Sequence, residues 1–189
     1  MEAFVISLTS IATAEIGDRT QLLALVLAAR YRKPWPIVAG VLCATLANHA
    51  VAGLIGVWFG RQLHPAVLDA AVGASMIAMA LWTLKPDKLD QQPVAGSNTG
   101  AFIATLAAFF LAEIGDKTQI ATIALAAAYG KLLTVIAGTT CGMLLANTPV
   151  IFLGNAFAHR LPLKAIHYCA AALFAVLGVI FIVRAAQHQ

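Results

Sequence analysis

Residues 14–21 read AEIGDRTQ, and residues 112–119 read AEIGDKTQ. Three charged residues and a glutamine recur in the same order at an offset of 98 residues. The offset continues past the motif: Tyr31 corresponds to Tyr129, Lys33 to Lys131, Gly40 to Gly138 and Cys43 to Cys141. With one inserted residue, the LAN at 46–48 then corresponds to the LAN at 145–147. Self-similarity of this extent marks a duplicated structural unit.

Both copies lie inside long apolar runs. Six such runs fall at roughly residues 3–29, 35–59, 66–84, 101–128, 132–157 and 164–184. They are long and rich in Ala and Leu, without the ten-residue alternation of a membrane barrel, so helices are expected. A hydrocarbon core takes about 20 apolar residues to cross, and six crossings nearly use up a chain of 189 residues. With 61% hydrophobic residues, 11% charged residues and a mean hydropathy of +0.86, there is too little charge to cover a soluble domain. Residues 85–99, with Pro86, Pro93, Gly96, Ser97 and Asn98, form the one clearly polar stretch and read as a loop. Residues 1–8 lack a basic n-region, and Glu15, Asp18 and Arg19 interrupt the apolar run. A first membrane helix carrying charges is expected there, not a cleaved leader.

Three helices separate one motif from the other, and three is odd, so the two halves cross the membrane in opposite directions. The expected fold is all-α: a polytopic membrane protein of six transmembrane helices in two inverted three-helix repeats, residues 1–84 and 101–189, joined by a polar loop at 85–100. Inverted repeats are the design of secondary transporters, whose substrate sites lie near the midplane between the halves. Arg30, Arg32, Lys33, Lys85, Lys88, Arg160 and Lys164 fall on one side, against Arg61, Lys131 and Arg184 on the other. The positive-inside rule then places both termini outside the cytoplasm. With short tails, a bacterial inner membrane is the expected location. The net charge of +4 fits basic cytoplasmic loops, and no groove-reading module accompanies it to suggest nucleic acid. Cys43, Cys141 and Cys169 are odd in number and lack metal or redox spacing. They read as small buried hydrophobes.

A charged group at a helix centre costs roughly 2.5–3.5 kcal/mol on insertion scales, and each motif places three of them there. On an unbroken helix Glu15 and Asp18 share a face, Gln21 joins that stripe, and Arg19 is spaced to pair with Glu15. Thr20 points elsewhere. Gly17 and Gly115 permit either a close helix approach or a local break. Facing one another, the copies bring Glu15, Asp18, Glu113 and Asp116 together with Arg19 and Lys117, leaving two negative charges in excess. One divalent cation or two protons would neutralise that site. Oxygen donors from these carboxylates, with Gln21 and Gln119, suit hard ions such as Ca²⁺, Mg²⁺ and Mn²⁺. The motif has no Cys to suit Cu⁺ and no His to suit Zn²⁺. Buried carboxylates hold protons more tightly, so exchange of metal for protons is the expected coupling. The plainer alternative, a Glu–Arg or Glu–Lys pair that merely fixes helix packing, fits two copies in inverted helices less well than one.

Asn48 and Asn147 are repeat-related and intramembrane, so they serve either as ligand oxygens or as interhelical hydrogen-bonding groups. His49 has no repeat counterpart, because Thr148 follows Asn147; a packed or pore-lining role is expected. Pro149 is placed to kink the fifth helix, and Trp35 and Trp58 to anchor segment ends at the interface.

The duplicated E-x-G-D-(K/R)-T sequence, Glu15 to Thr20 and Glu113 to Thr118, resembles the signature of the cation/Ca²⁺ antiporter-2 family of six-helix membrane proteins. The resemblance covers essentially the whole chain. It implies transport of Mn²⁺ or Ca²⁺ as substrate, with protons as counter-ion and, for the bacterial branch, Mn²⁺ export. It also implies cation handling by Glu15, Asp18, Glu113 and Asp116, and no cofactor. Gln21 and Gln119 follow the motif where many members carry another residue type.

Two other classes compete with a metal carrier. An exporter of a small organic cation such as a basic amino acid also suits an acidic site, though it needs an apolar subsite that the motif stripe lacks. An intramembrane aspartyl protease would use Asp18 and Asp116 as a dyad, but has no need for duplicated Glu, Arg/Lys and Gln. A channel differs from a carrier only in turnover and coupling.

Overall fold

The computed structural model describes residues 1–84, 100–154 and 162–188. The expected central loop, apart from Gly100, and the basic residues Lys85, Lys88 and Arg160 lie outside these. Among the described residues there are eight α-helices and no strand: α1 (Glu2–Glu15), α2 (Arg19–Tyr31), α3 (Pro34–Gln62), α4 (Pro65–Thr83), α5 (Ala101–Glu113), α6 (Lys117–Tyr129), α7 (Leu132–Leu153) and α8 (Leu163–Gln187).

The two motif-bearing segments, expected as continuous helices, are each broken in two. The cause is local. Ile16 is extended, Gly17 takes φ +85, and Asp18 is extended again before α2 begins. The second copy repeats this at Ile114, Gly115 (φ +74) and Asp116. Positive φ costs a side-chain-bearing residue roughly 1–2 kcal/mol, and glycine avoids that cost. Of the two roles open to these glycines, the break is the one they take.

The remaining ends follow ordinary capping. Pro34 and Pro65 open α3 and α4, where a missing N–H costs nothing. Gly130 closes α6 in the left-handed region. Four helices are long and apolar enough to cross a membrane: α3, α4, α7 and α8, of 29, 19, 22 and 25 residues. α7 runs unbroken through Pro149.

The long helices α3 and α7 each lie along the broken pair of the other half. Gly138 and Gly142 of α7 meet Phe4, Leu8 and Ile11 of α1, and further along α7 the Ala146 carbonyl accepts a hydrogen bond from Gln21 of α2. In the same way Gly40 of α3 meets Phe102 and Thr105 of α5, while Gly56 and Gly60 meet Ile123 and Ala127 of α6. Both pairings are parallel. A Cβ on Gly142 would stand 2.6 Å from the Leu8 carbonyl oxygen, so the backbones approach as only small residues allow. α4 and α8 run antiparallel, with Gly73 against Gly178 and His188 3.5 Å from Asp69.

Burial is the reverse of a soluble domain's. Val51, Leu54, Trp58, Leu133 and Val179 are exposed, while Glu15, Asp18, Glu113, Asp116 and Lys117 are buried. A water-facing protein would lose stability by this arrangement; one solvated by hydrocarbon outside and charge-paired inside does not. Trp35 and Trp58 are exposed. The three cysteines are free but exposed, which corrects the expectation that they are buried: they belong to the apolar outer surface.

Candidate functional site

The site lies where the two helix breaks meet. Each break is closed by its own residues. The Asp18 N–H donates to the Glu15 carbonyl at 3.1 Å, and the Asp116 N–H to the Glu113 carbonyl at 3.2 Å. Gln21 Oε1 accepts the Gly17 N–H at 2.9 Å, and Gln119 Oε1 accepts the Gly115 N–H at 2.8 Å. The glutamines read as candidate ligands therefore hold the broken backbone. Gln21 also ties α2 to α7, donating from Nε2 to the Ala146 carbonyl at 3.0 Å.

Each basic residue pairs with the aspartate of the other motif. Arg19 Nη2 lies 2.8 Å from Asp116 Oδ1, and Lys117 Nζ lies 2.8 Å from Asp18 Oδ1. Helical spacing pointed to Arg19 pairing with Glu15; the break at Gly17 removes that register and turns Arg19 across to the other copy. Its Nη2 also donates to the Ala112 carbonyl at 2.8 Å. That puts a cation on the last turn of α5, where the helix dipole favours it. The two crossed pairs join the halves reciprocally.

The glutamates are fully buried. Thr20, expected to point elsewhere, donates its hydroxyl to Glu15 Oε2. Among the described residues Glu15 Oε1 has no hydrogen-bonding partner. Oxygens of Glu15, Asp18 and Asp116 lie within 4.8 Å of one another. Glu113 stands outside this trio. Thr118, the counterpart of Thr20, sits beside it but directs its hydroxyl to Asp116 Oδ2 at 3.3 Å. Three hard oxygen donors at the two breaks, beside two cations, are a donor set that suits a small divalent ion.

A family model described as the divalent cation/proton antiporter GDT1 matches residues 3–91 and 101–189. The chain belongs to the GDT1 family. A candidate manganese exporter of Vibrio cholerae is 51% identical over 180 residues, 95% of this chain and 90% of that protein. A GDT1-like protein of Synechocystis is 28% identical over 95% of this chain and 96% of its own length. The chloroplastic protein PAM71 of Arabidopsis thaliana is 28% identical over 88% of this chain and 53% of its own length. No solved structure matches. The family is one of transporters and not of enzymes, and the divalent cation is its substrate, as the sequence resemblance implied.

The other residues singled out in this GDT1 family member are placed unequally. Asn48 donates from Nδ2 to the Phe110 carbonyl at 3.1 Å, joining α3 to α5. Asn147 donates within its own helix, to the Met143 carbonyl at 3.0 Å, and its buried Oδ1 has no partner among the described residues. His49 is packed inside the bundle: its Nε2 lies 3.7 Å from Glu113 Oε2, and both side chains are fully buried.

Proposed function

We propose that this chain exports Mn²⁺ from the cytoplasm in exchange for protons, by alternating access at the junction of the two broken helices. The trio of Glu15, Asp18 and Asp116 beside two crossed ion pairs is the observation that carries this. Manganese is favoured over other hard divalent ions by the Vibrio cholerae relative. In the protein's resting arrangement Lys117 and Arg19 each neutralise one aspartate. An arriving ion takes the remaining charge of the buried glutamates together with the aspartate oxygens, and protons take its place on return.

The architecture we propose is six crossings, four continuous and two broken at the motifs, with residues 1–84 and 101–189 as inverted repeats about the 85–100 loop. α1 and α2, of 14 and 13 residues, are each about 20 Å long at 1.5 Å per residue, so together they match a bilayer's thickness. α5 and α6 do the same. Tyr129 at the end of α6 reaches Glu2 at the start of α1 at 3.4 Å, which supports opposite directions for the two broken rods. Both termini then face away from the cytoplasm, and a bacterial inner membrane is the setting.

The competing classes fit the site less well. Asp18 and Asp116 are each engaged by a cation at 2.8 Å and are not a proton-sharing dyad. Carboxylates within 4.8 Å of one another fit an ion more readily than an amino acid.

Electron paramagnetic resonance of Mn²⁺ added to purified protein tests the site. Wild type should bind the ion, with affinity reduced at least tenfold in Glu15→Gln, about 1.4 kcal/mol. Unchanged binding in Glu15→Gln and Asp18→Asn would overturn the assignment.

A further inference from the structure

The repeat gives no reason for His49. Asn48 has its partner in Asn147, but the next position in the second half is Thr148, so one half alone carries an imidazole. α3 lies along α5 and α6 and sets this imidazole against the second motif, with Nε2 3.7 Å from Glu113 Oε2. Neither side chain has any exposed surface. Among the described residues neither His49 nitrogen has a hydrogen-bonding partner.

Buried polar atoms are nearly always satisfied, and an unsatisfied group calls for an explanation such as an unoccupied ion position. Here the unpartnered His49 Nε2 and the buried Glu113 Oε2 stand 3.7 Å apart across one gap. The separation also suits an ion. It is too long for a hydrogen bond. Two donor atoms held roughly 2.1–2.3 Å from one ion, at roughly 90–110°, stand roughly 3.0–3.8 Å apart.

The chemistry of the pair differs from that of the trio. Glu15, Asp18 and Asp116 offer only oxygen, which suits Ca²⁺, Mg²⁺ and Mn²⁺ alike. Imidazole nitrogen suits transition metals and adds little for Ca²⁺ or Mg²⁺. The more abundant hard ions would otherwise compete at an all-oxygen site. We propose that His49 and Glu113 form a second station for the transported ion, where the imidazole nitrogen selects a transition metal against Ca²⁺ and Mg²⁺. This rests on the cation-transport reading above.

Competition flux in liposomes tests it, with Mn²⁺ uptake measured under rising Ca²⁺ in wild type, His49→Gln and His49→Ala. Loss of an outer-shell partner alone shifts metal affinity about 10–100-fold, and loss of a ligand should do no less. The Ca²⁺ concentration that halves Mn²⁺ flux should therefore fall at least tenfold in both variants, with a raised KM for Mn²⁺. A purely structural histidine would lower the rate and leave the Ca²⁺ inhibition ratio unchanged, and that result would overturn the proposal. Pulsed electron paramagnetic resonance on Mn²⁺-loaded wild type gives an answer independent of any variant's folding. Nitrogen coupling that disappears in His49→Gln supports the station; an all-oxygen Mn²⁺ spectrum in wild type sinks it. Wild type that binds Mn²⁺ but moves no metal would instead count against the transport reading, and the nitrogen coupling would still decide the ligand.

Discussion

At the scale of single residues, the crossed ion pairs decide how charge is tolerated in this interior. Breaking a buried pair leaves an uncompensated charge and costs about 3–5 kcal/mol. Lys117 and Asp18 are 4% and 0% exposed in their side chains, whereas Arg19 is 30% exposed beside Asp116 at 3%. Solvent screening reduces the value of the second pair. Lys117→Ala should therefore destabilise the protein more than Arg19→Ala, with a difference readable in thermal unfolding of the detergent-solubilised protein. Equal losses would mean that the two pairs are energetically alike despite their exposure. The charged residues themselves were legible from the sequence, because six of them in apolar runs have no structural excuse. Their partners were not. Pairing Arg19 with Glu15 assumed an unbroken helix, and one left-handed glycine redirects the side chain to the opposite repeat.

At the scale of elements, each break depends on one glycine and one glutamine. Gly17→Ala and Gly115→Ala both force a Cβ into the left-handed region, at about 1–2 kcal/mol each. They should not behave alike. A Cβ on Gly17 would stand 2.9 Å from His167 Nε2 and 3.0 Å from Leu163 Cδ2, both on α8, while none of the described residues lies within 4 Å of one on Gly115. Gly17→Ala should thus be the less stable of the two, and adding His167→Ala should recover part of the difference in unfolding temperature. If Gly115→Ala proves equally harmful, strain alone governs and the α8 contact contributes nothing. Gln21→Leu and Gln119→Leu remove the acceptors of the Gly17 and Gly115 N–H groups. Each leaves a backbone donor unpaired and should cost about 1–3 kcal/mol, measured the same way. Long apolar runs do announce helices, which is why the four long ones were legible. A three-residue break leaves no mark on hydropathy, and Gly in a membrane helix is as often a packing residue.

At the scale of the whole molecule, the two halves are alike in sequence but not in surroundings. α8 covers the first break through Leu163 and His167, whereas among the described residues nothing covers the second in the same way: Ile114 is 54% exposed and its counterpart Ile16 only partly so. On the proposed inverted-repeat architecture, alternating access implies that such environments exchange between the two states. In a background without native cysteines, Ile114→Cys should react faster than Ile16→Cys with a small thiol reagent, and a proton gradient that drives the opposite state should reverse the order. A fixed order under every condition would argue for a static pore. The duplication and its odd helix spacing were legible without coordinates; the asymmetry was not, since near-identical motifs give no sign of which break is covered. His49 has no counterpart in the second half, so the repeat by itself assigns it no role.

The central claim is that the paired motifs exchange Mn²⁺ for protons. Its most direct measurement is Mn²⁺ uptake into liposomes holding an internal metal-sensitive dye, with the interior more acidic than, equal to or more alkaline than the outside. Antiport predicts fastest uptake with an acidic interior, where protons leave as the metal enters. It also predicts near-complete loss of that gradient-driven uptake in Glu15→Gln and in Glu113→Gln. Uptake that ignores the proton gradient, or that survives loss of both glutamates in folded protein, would contradict the account.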